Sequence, residues 1–320
     1  MAQYLGFDTS NYRTSLGYID TQTGDHLITG ELLPVALGEK GLRQSDALFA
    51  HTKALPELAR RQFMQLGKRT YRAIGVSSRP RSLPDSYMPC FLAGLSAAHV
   101  LGNALGAPVH AFSHQQGHLA SAAFGAGKLD LLCEPFLAWH LSGGTTELLL
   151  VEPNADDIIC ETLIGGTSDI SAGQLIDRTG VMLGLSFPSG PELEVLASRS
   201  TLTKGFAVRV NDCHFSLSGV ENQVKARIEA GELPADTARF AILTVLRAVV
   251  KATQQARERF PDLPVLCAGG VMSNQLIQQE MSHLFGAYFA RPKYASDNAL
   301  GVAILAAIRE EGFEWTDRES

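Results

Sequence analysis

The predicted elements run through the same succession twice, and this repetition limits the folds open to the chain more than any other feature. Short apolar runs at residues 3–8, 14–19 and 26–35 read as strands, broken by the turn Asp8-Thr9-Ser10-Asn11 and a Thr-Gly turn within 20–25. Residues 45–66 carry Leu48, Phe49, Leu55, Leu58, Phe63 and Leu66 at helical spacing, with Ser45 as the expected N-cap. A strand at 71–76, a helix at 91–105, a strand at 108–112 and a helix at 114–124 follow. The order then restarts with strands at 136–141, 146–151 and 158–163. Helices at 170–183, 191–197 and 237–258, a buried strand at 264–267 and a helix at 273–285 come next. Element order repeats here, not sequence. It is the layout of two related α/β lobes around a cleft, whereas a doubly wound fold would alternate strand and helix from its start. The last helix, 299–311, is expected to pack back on the first lobe.

Composition removes several classes. At 320 residues and 45% hydrophobic, the chain can bury two ordinary cores. Its apolar runs are interrupted by charge, as at Arg247 and Lys251, so no membrane-spanning helix is expected. No leader pattern stands at the N-terminus, and the five cysteines are scattered without a C-x-x-C pair. A cytoplasmic protein with reduced thiols is the expectation. A formal net charge of −6 argues against a broad nucleic-acid surface, so RNA binding would need a local basic patch or a partner.

Three turns carry small, hydrogen-bonding residues. They are Asp8-Thr9-Ser10-Asn11, Ser142-Gly143-Gly144-Thr145-Thr146 and Ala268-Gly269-Gly270-Val271-Met272-Ser273-Asn274. Glycine lets a backbone approach phosphate closely, and the third turn leads from a strand into a helix N-terminus, where dipoles favour an anion. Any one alone is an ordinary turn; the set, in this order, is more specific. His114 and His118 lie at i and i+4, on one helical face, where they can share a metal. The same spacing also arises from solvated or core histidines. A zinc protease would need glutamate at Gln115 as general base, so that reading fails. Asp297, before the last helix, is a candidate third ligand; taken alone it reads as an N-cap.

These residues together resemble the tRNA N6-threonylcarbamoyladenosine transferase family (TsaD), formerly called O-sialoglycoprotein endopeptidase. The resemblance runs nearly end to end: Leu5-Gly-Phe-Asp-Thr-Ser10, His114-Gln-Gln-Gly-His118, Leu141-Ser-Gly-Gly144, and Gly166-Thr-Ser-Asp169 with Ala172, Gly173 and Asp177. It continues through Leu185 to Pro191, Phe215-Ser-Leu-Ser-Gly219, Gly269 to Asn274 and Ser296-Asp-Asn298. It implies an actin-like ATPase (sugar kinase/actin-like) fold, two lobes around a nucleotide cleft. The first would be 1–112 completed by 297–320, the second 113–296. It further implies a divalent metal, iron or zinc, on His114, His118 and Asp297. A threonylcarbamoyl-adenylate or ATP/ADP pocket would be lined by His140, Leu141, Ser142, Gly143, Gly144, Asp177, Gly190 and Asn274. The implied reaction moves threonylcarbamoyl from the adenylate to N6 of adenosine 37 in tRNAs reading codons that begin with A. The implied partners are tRNA, a smaller relative of the same fold (TsaB-like) and a small ATPase (TsaE-like).

Several positions depart from the family pattern. Asn11-Tyr12-Arg13 replaces Cys and two acidic residues, and a longer basic loop at 78–85 replaces a Gly-Pro-Gly turn. Thr145 stands for His, Gln174 for Glu and Glu221 for Lys. A carboxylate in place of a phosphate-facing lysine would be repulsive, by about 4 kcal/mol at ~4 Å and intermediate dielectric. Two readings follow. One is the transferase with tolerated drift. The other is a paralogue that binds nucleotide and metal but carbamoylates another acceptor or acts as a scaffold. Arg79 and Arg81 could touch phosphate, though a short basic loop is usually just solvated.

Overall fold

The computed structural model describes residues 2–10, 12–34, 42–83, 85–294 and 298–315. In chain order the elements are β1 (Gln3–Ser10), β2 (Arg13–Asp20), β3 (His26–Leu32), α1 (Gln44–Leu66), β4 (Ala73–Arg79), α2 (Phe91–Leu105), β5 (Val109–Ser113) and α3 (His114–Gly125). Then come β6 (Phe136–Leu141), β7 (Thr146–Asn154), β8 (Ile158–Thr167), α4 (Ala172–Met182), α5 (Gly190–Ala197), β9 (Val210–Asn211) and β10 (His214–Phe215). The chain ends through α6 (Ser218–Glu229), α7 (Pro234–Arg259), β11 (Val265–Ala268), α8 (Gln275–Phe285), β12 (Tyr288–Phe289) and α9 (Ala299–Glu311). Asn11, Val35, Ser296 and Asp297 lie outside the described residues.

Two compact units result. One holds 1–134, 152–161 and 293–320, the other 135–151 and 162–292. The first contains the sheet β3-β2-β1-β4-β5 and the second the sheet β12-β11-β6-β7-β8-β10-β9. Within the second, the run β8-β7-β6-β11-β12 repeats the strand order of the first sheet. In each, the leading strand pairs antiparallel with the next and parallel with a later one: β1 with β2 and β4, β6 with β7 and β11. The repetition of element order is therefore a repetition of topology.

The first sheet is buried on both faces. Leu5, Phe7, Leu16, Tyr18, Ile74 and Val76 pack with Leu55 and Leu58 of α1 and Ala93 and Ala98 of α2. On the other face three glycines stand side by side, Gly6 opposite Gly17 and opposite Gly75. A Cβ on Gly6, Gly17 or Gly75 would come within 1.8, 2.4 or 1.9 Å of the backbone of α9 at residues 299–302. The glycines make a flat trough across three strands, and the apolar helix lies in it. This is the placement expected for the last helix. In the second unit Trp139 is fully buried and its Nε1 donates to Thr253 Oγ1 of α7 at 2.9 Å, so the core keeps its one indole donor satisfied.

Two local expectations change. The second lobe was expected to begin at 113, but residues 113–134 group with the first unit. The cause is α3 against α9, where a Cβ on Gly301 would lie 1.8 Å from the Gly117 carbonyl oxygen, so the two backbones touch. The expected N-cap Ser45 is not the cap: α1 starts at Gln44 after Arg43, with no capping side chain. Helix α6 had no counterpart in the sequence reading.

Candidate functional site

In the first unit α3 starts with a capping box. Ser113 Oγ accepts from Gln116 N at 3.0 Å, and Gln116 Oε1 accepts from Ser113 N at 2.6 Å. That fixes the first turn and aims His114 and His118 to one side, their ring centroids 4.6 Å apart. The Ser-x-x-Gln spacing at 113–116 is a helix-start signal legible in the sequence. His114 Nδ1 lies 2.9 Å from Asp8 Oδ1 near the end of β1, and Asp8 is only 1% exposed. Burial works to raise this carboxyl. The charge and hydrogen bond of His114, with the hydroxyls of Ser77 and Ser10, hold it below its ordinary value. A buried carboxylate on Nδ1 fixes the ring so that Nε2 is the acceptor, the second-layer arrangement usual for a metal-binding histidine.

Whether the pair fits a cation is read from Asn298. Its amide nitrogen stands 2.9 Å from His114 Nε2, 2.5 Å from His114 Nδ1 and 3.2 Å from His118 Nε2. Lying close to both nitrogens of His114, the Asn298 amide sits against that ring and not on the in-plane axis of its Nε2 lone pair. Asn298 Oδ1 is buried without a partner among the described residues. Two imidazoles paired on one helical face, beside an orphan acceptor, suit a small cation. Among the described residues no cluster of three or more His, Cys, Asp or Glu side chains forms. The third candidate, Asp297, is the residue before Asn298 and lies outside them.

In the second unit the small-residue turns pack on one another. Ser142 N donates to Thr145 O at 2.8 Å, and Ser142 Oγ accepts from Gly144 N and Thr145 N at 3.3 and 3.1 Å. Ser171 Oγ donates to Gly143 O at 2.7 Å, and Ala172 N donates to Thr146 Oγ1 at 2.8 Å, joining the start of α4 to this hairpin. Gly173 permits the contact, since a Cβ there would lie 2.4 Å from Ser142 O. Gly269, at φ 95°, sits against Leu141, where a Cβ would lie 2.1 Å from its carbonyl oxygen. Gly143 and Gly144 face open space. His140 and Leu141 thus lie beside the Gly269 turn, and the hairpin turn 142–145 follows directly.

Two expected ligand-binding side chains already have structural work. Asp177 Oδ1 accepts from Ser189 N at 2.8 Å, holding the turn before Gly190. Asn274 Oδ1 accepts from Ile277 N at 3.2 Å and caps α8.

A comparison with known proteins decides the family. The model of the family TsaD, tRNA N6-adenosine threonylcarbamoyltransferase, matches residues 45–304. The chain belongs to this family. It is 31% identical over 317 residues to a tRNA N6-adenosine threonylcarbamoyltransferase of Thermus thermophilus, covering 96% of this chain and 93% of that protein. The Aromatoleum aromaticum protein of the same description is 30% identical over 328 residues, covering 95% and 90%. Among solved structures, full-length HypF in its phosphate- and nucleotide-bound form superposes with a TM-score of 0.62 at 12% identity, over 98% of this chain and 56% of that one. Component A of the Acidaminococcus fermentans (R)-2-hydroxyglutaryl-CoA dehydratase gives 0.54 at 14% identity, over 97% and 99%. The fold is that of the actin-like ATPases, and the threonylcarbamoyltransferase family is one of transferases acting on tRNA. Among the described residues no helix is long and apolar enough to cross a membrane.

Departures from the TsaD pattern are absorbed locally. Glu221 Oε2 meets Arg178 Nη1 at 2.7 Å, and its Oε1 meets Lys225 Nζ at 3.0 Å. Those partners hold its carboxyl below the ordinary range, so the repulsion expected of a bare carboxylate is cancelled within unit two. Gln174 completes a second capping box with Ser171, at 3.1 and 3.2 Å, a task glutamine and glutamate share. Arg13 lies across Gly30 of β3, its Nη2 2.8 Å from where a Cβ would stand. In the 78–85 loop Arg79 pairs with Asp157 at 3.2 Å, which spends the charge the sequence left open for phosphate.

Asp169 is a brace that the sequence offered only as part of a motif. Its carboxylate accepts from Leu217 N at 2.8 Å, from Ser218 N and from the Ser216 hydroxyl, tying the end of β8 to the start of α6. Partial burial acts to raise its pKa, but these donors hold it well below the usual carboxylate range. A depressed folded-state pKa adds stability above the unfolded value of about 4 that is lost as pH falls below it. Asp169 is exposed, so solvent screens much of this and the effect is modest. Asp169→Asn is expected to lower the urea midpoint at pH 7 and to flatten its fall between pH 5 and pH 3. A fall as steep as in the wild type would show that Asp169 carries no acid-sensitive stability.

Proposed function

We propose that the chain transfers a threonylcarbamoyl group from threonylcarbamoyl-adenylate to N6 of adenosine 37 in tRNA, in a metal-dependent reaction in the cytoplasm. The observation that carries the metal part is the pairing of His114 and His118 on one face of α3, ring centroids 4.6 Å apart, with Asp8 bonded to His114 Nδ1. His114 and His118 would hold a divalent iron or zinc ion, with Asp297 as third ligand. The ion when bound would supply a Lewis acid for a carbonyl oxygen. Asp8 keeps His114 in the tautomer that presents Nε2, and the capping box of α3 keeps both rings on one side.

The adenylate would be held by His140, Leu141, Ser142, Gly143, Gly144, Asp177, Gly190 and Asn274. Gly143 and Gly144 let phosphate oxygens approach the backbone closely, and Asp177 has a second carboxylate oxygen for a ribose hydroxyl. In the transfer, N6 attacks the carbamoyl carbon and the bond from that carbon to the phosphate oxygen breaks. AMP leaves with the electron pair, and N6 gives up a proton. A smaller relative of the same fold and a small ATPase would be the working partners.

The test is transfer of labelled threonylcarbamoyl from the adenylate to unmodified tRNA by the full chain with those partners, with metal measured on the same sample. Transfer is expected in the wild type and not in His118→Ala. Metal and adenylate binding without transfer would instead assign another acceptor or a scaffold, the reading that Arg13 in place of a carboxylate favours.

A further inference from the structure

We infer that an irregular segment and one helix face of the second unit form a docking strip for the phosphate backbone of RNA. Residues 195–211 contain Arg199, Lys204 and Arg209 and no acidic residue. Residues 237–257, most of α7, contain Arg239, Arg247, Lys251 and Arg257 and again none. In a chain of net charge −6 this is a marked local excess of one sign.

The segment has no regular secondary structure from 201 to 208, yet it is hydrogen-bonded along α7. Phe206 N donates to Thr244 Oγ1 at 2.8 Å, and Arg239 Nε donates to Leu202 O at 2.6 Å. Arg247 Nη1 donates to Gly205 O at 2.9 Å, and a Cβ on Gly205 would lie 2.5 Å from Thr244 N. The backbone is thereby pressed flat, with Lys204 and Phe206 exposed, Phe206 by 39%. Carbonyl acceptors orient Arg239 and Arg247 without cancelling their charge. Lys204, Arg209, Arg247 and Lys251 form no ion pair among the described residues.

Beside the strip lies a cavity of about 530 Å³ lined by Thr203, Arg247, Lys251, Gln254 and Gln279 over leucine side chains. Glu280 also lines it, and Asp236 near the start of α7 is bonded to Ser200 Oγ. Exposed cations interleaved with an exposed aromatic ring suit RNA, whose phosphates take the charges while an unpaired base stacks on the ring. The strip supplies the local positive field that the overall charge denies, now that Arg79 is spent on Asp157.

The inference rests on the reading of the chain as a tRNA-acting transferase, and the experiment separates the two. Labelled unmodified tRNA is titrated with the full chain, alone and with its partners, across a range of salt. The Lys204→Glu/Lys251→Glu protein is expected to bind about tenfold or more weakly at ~0.1 M salt. Its log–log salt slope should be shallower by about 1.5, as for two lost phosphate contacts. Phe206→Ala should cost about fivefold or more, since stacking on an aromatic ring supports single-stranded contacts. The control Lys53→Glu/Lys68→Glu makes the same charge change in the first unit and should move affinity by less than about twofold. Equal affinities for the reversal and the control overturn the strip and leave the transferase reading intact. A reversal that weakens only association with partner proteins makes the face a protein-docking surface and also overturns it. A wild type that binds no tRNA under any of these conditions overturns the transferase reading, and the strip with it.

Discussion

His118→Ala is expected to lose stoichiometric metal at almost no cost in stability, whereas His114→Ala should lose both metal and stability. The difference follows from what stands behind each ring. His114 is the partner of Asp8, a carboxylate with 1% exposure. Removing the imidazole leaves that charge buried with only hydroxyl donors near it, and such groups cost about 2–4 kcal/mol when orphaned. Asp8→Asn makes the converse test, since it keeps the shape but weakens the group that orients the ring. It should reduce metal affinity about 10–100-fold, the usual effect of removing a second-layer partner. Iron and zinc counted per chain, together with urea midpoints, check all three variants, and Asp297→Ala belongs in the same series. Full metal retention in His118→Ala would end the proposal that the histidine pair is the site.

Gly75→Ala should be among the most damaging single-methyl changes in the protein, costing about 3 kcal/mol or more. Its new Cβ would stand 1.9 Å from the Val302 carbonyl oxygen, and the corresponding distance at Gly6 is 1.8 Å from Ala299 O. Overpacking usually costs about 1–3 kcal/mol because side chains can rotate away. Here the obstacle is helix backbone, so α9 as a whole must lift from the sheet and its buried apolar run from Ala299 to Ile308 loses contact. Gly219→Ala is the control. It sits on α6 with nothing within 4 Å of the added methyl, so helix propensity alone should act, in the stabilising direction. Urea midpoints decide the comparison. A loss below about 1 kcal/mol at Gly75 would mean that the trough yields easily and does not fix α9.

Local periodicity and turn chemistry are what the amino-acid order encodes directly. The helices Phe91–Leu105 and Ala299–Glu311 and the strand Phe136–Leu141 have the expected bounds, because apolar spacing switches cleanly at their ends. The doubled element order foretold two related α/β lobes, and the spacing of His114 and His118 foretold a common helical face. Ordered motifs over the whole chain gave the family. Other features needed partners distant in sequence, and no local pattern announces those. Asp8 and His114 are 106 residues apart, and Arg178 and Glu221 are 43 apart. The sequence showed Glu221 as a charge of the wrong sign; the fold supplied Arg178 and Lys225 to neutralise it. It showed Gly6, Gly17 and Gly75 as three unrelated glycines inside strands, where glycine only weakens pairing. Strand register set them side by side, and α9 filled the trough they made. Local sequence chose the elements because helix and strand periods are short-range properties. Tertiary structure decided which charges are paired and which backbones touch, because both depend on distances that only folding creates.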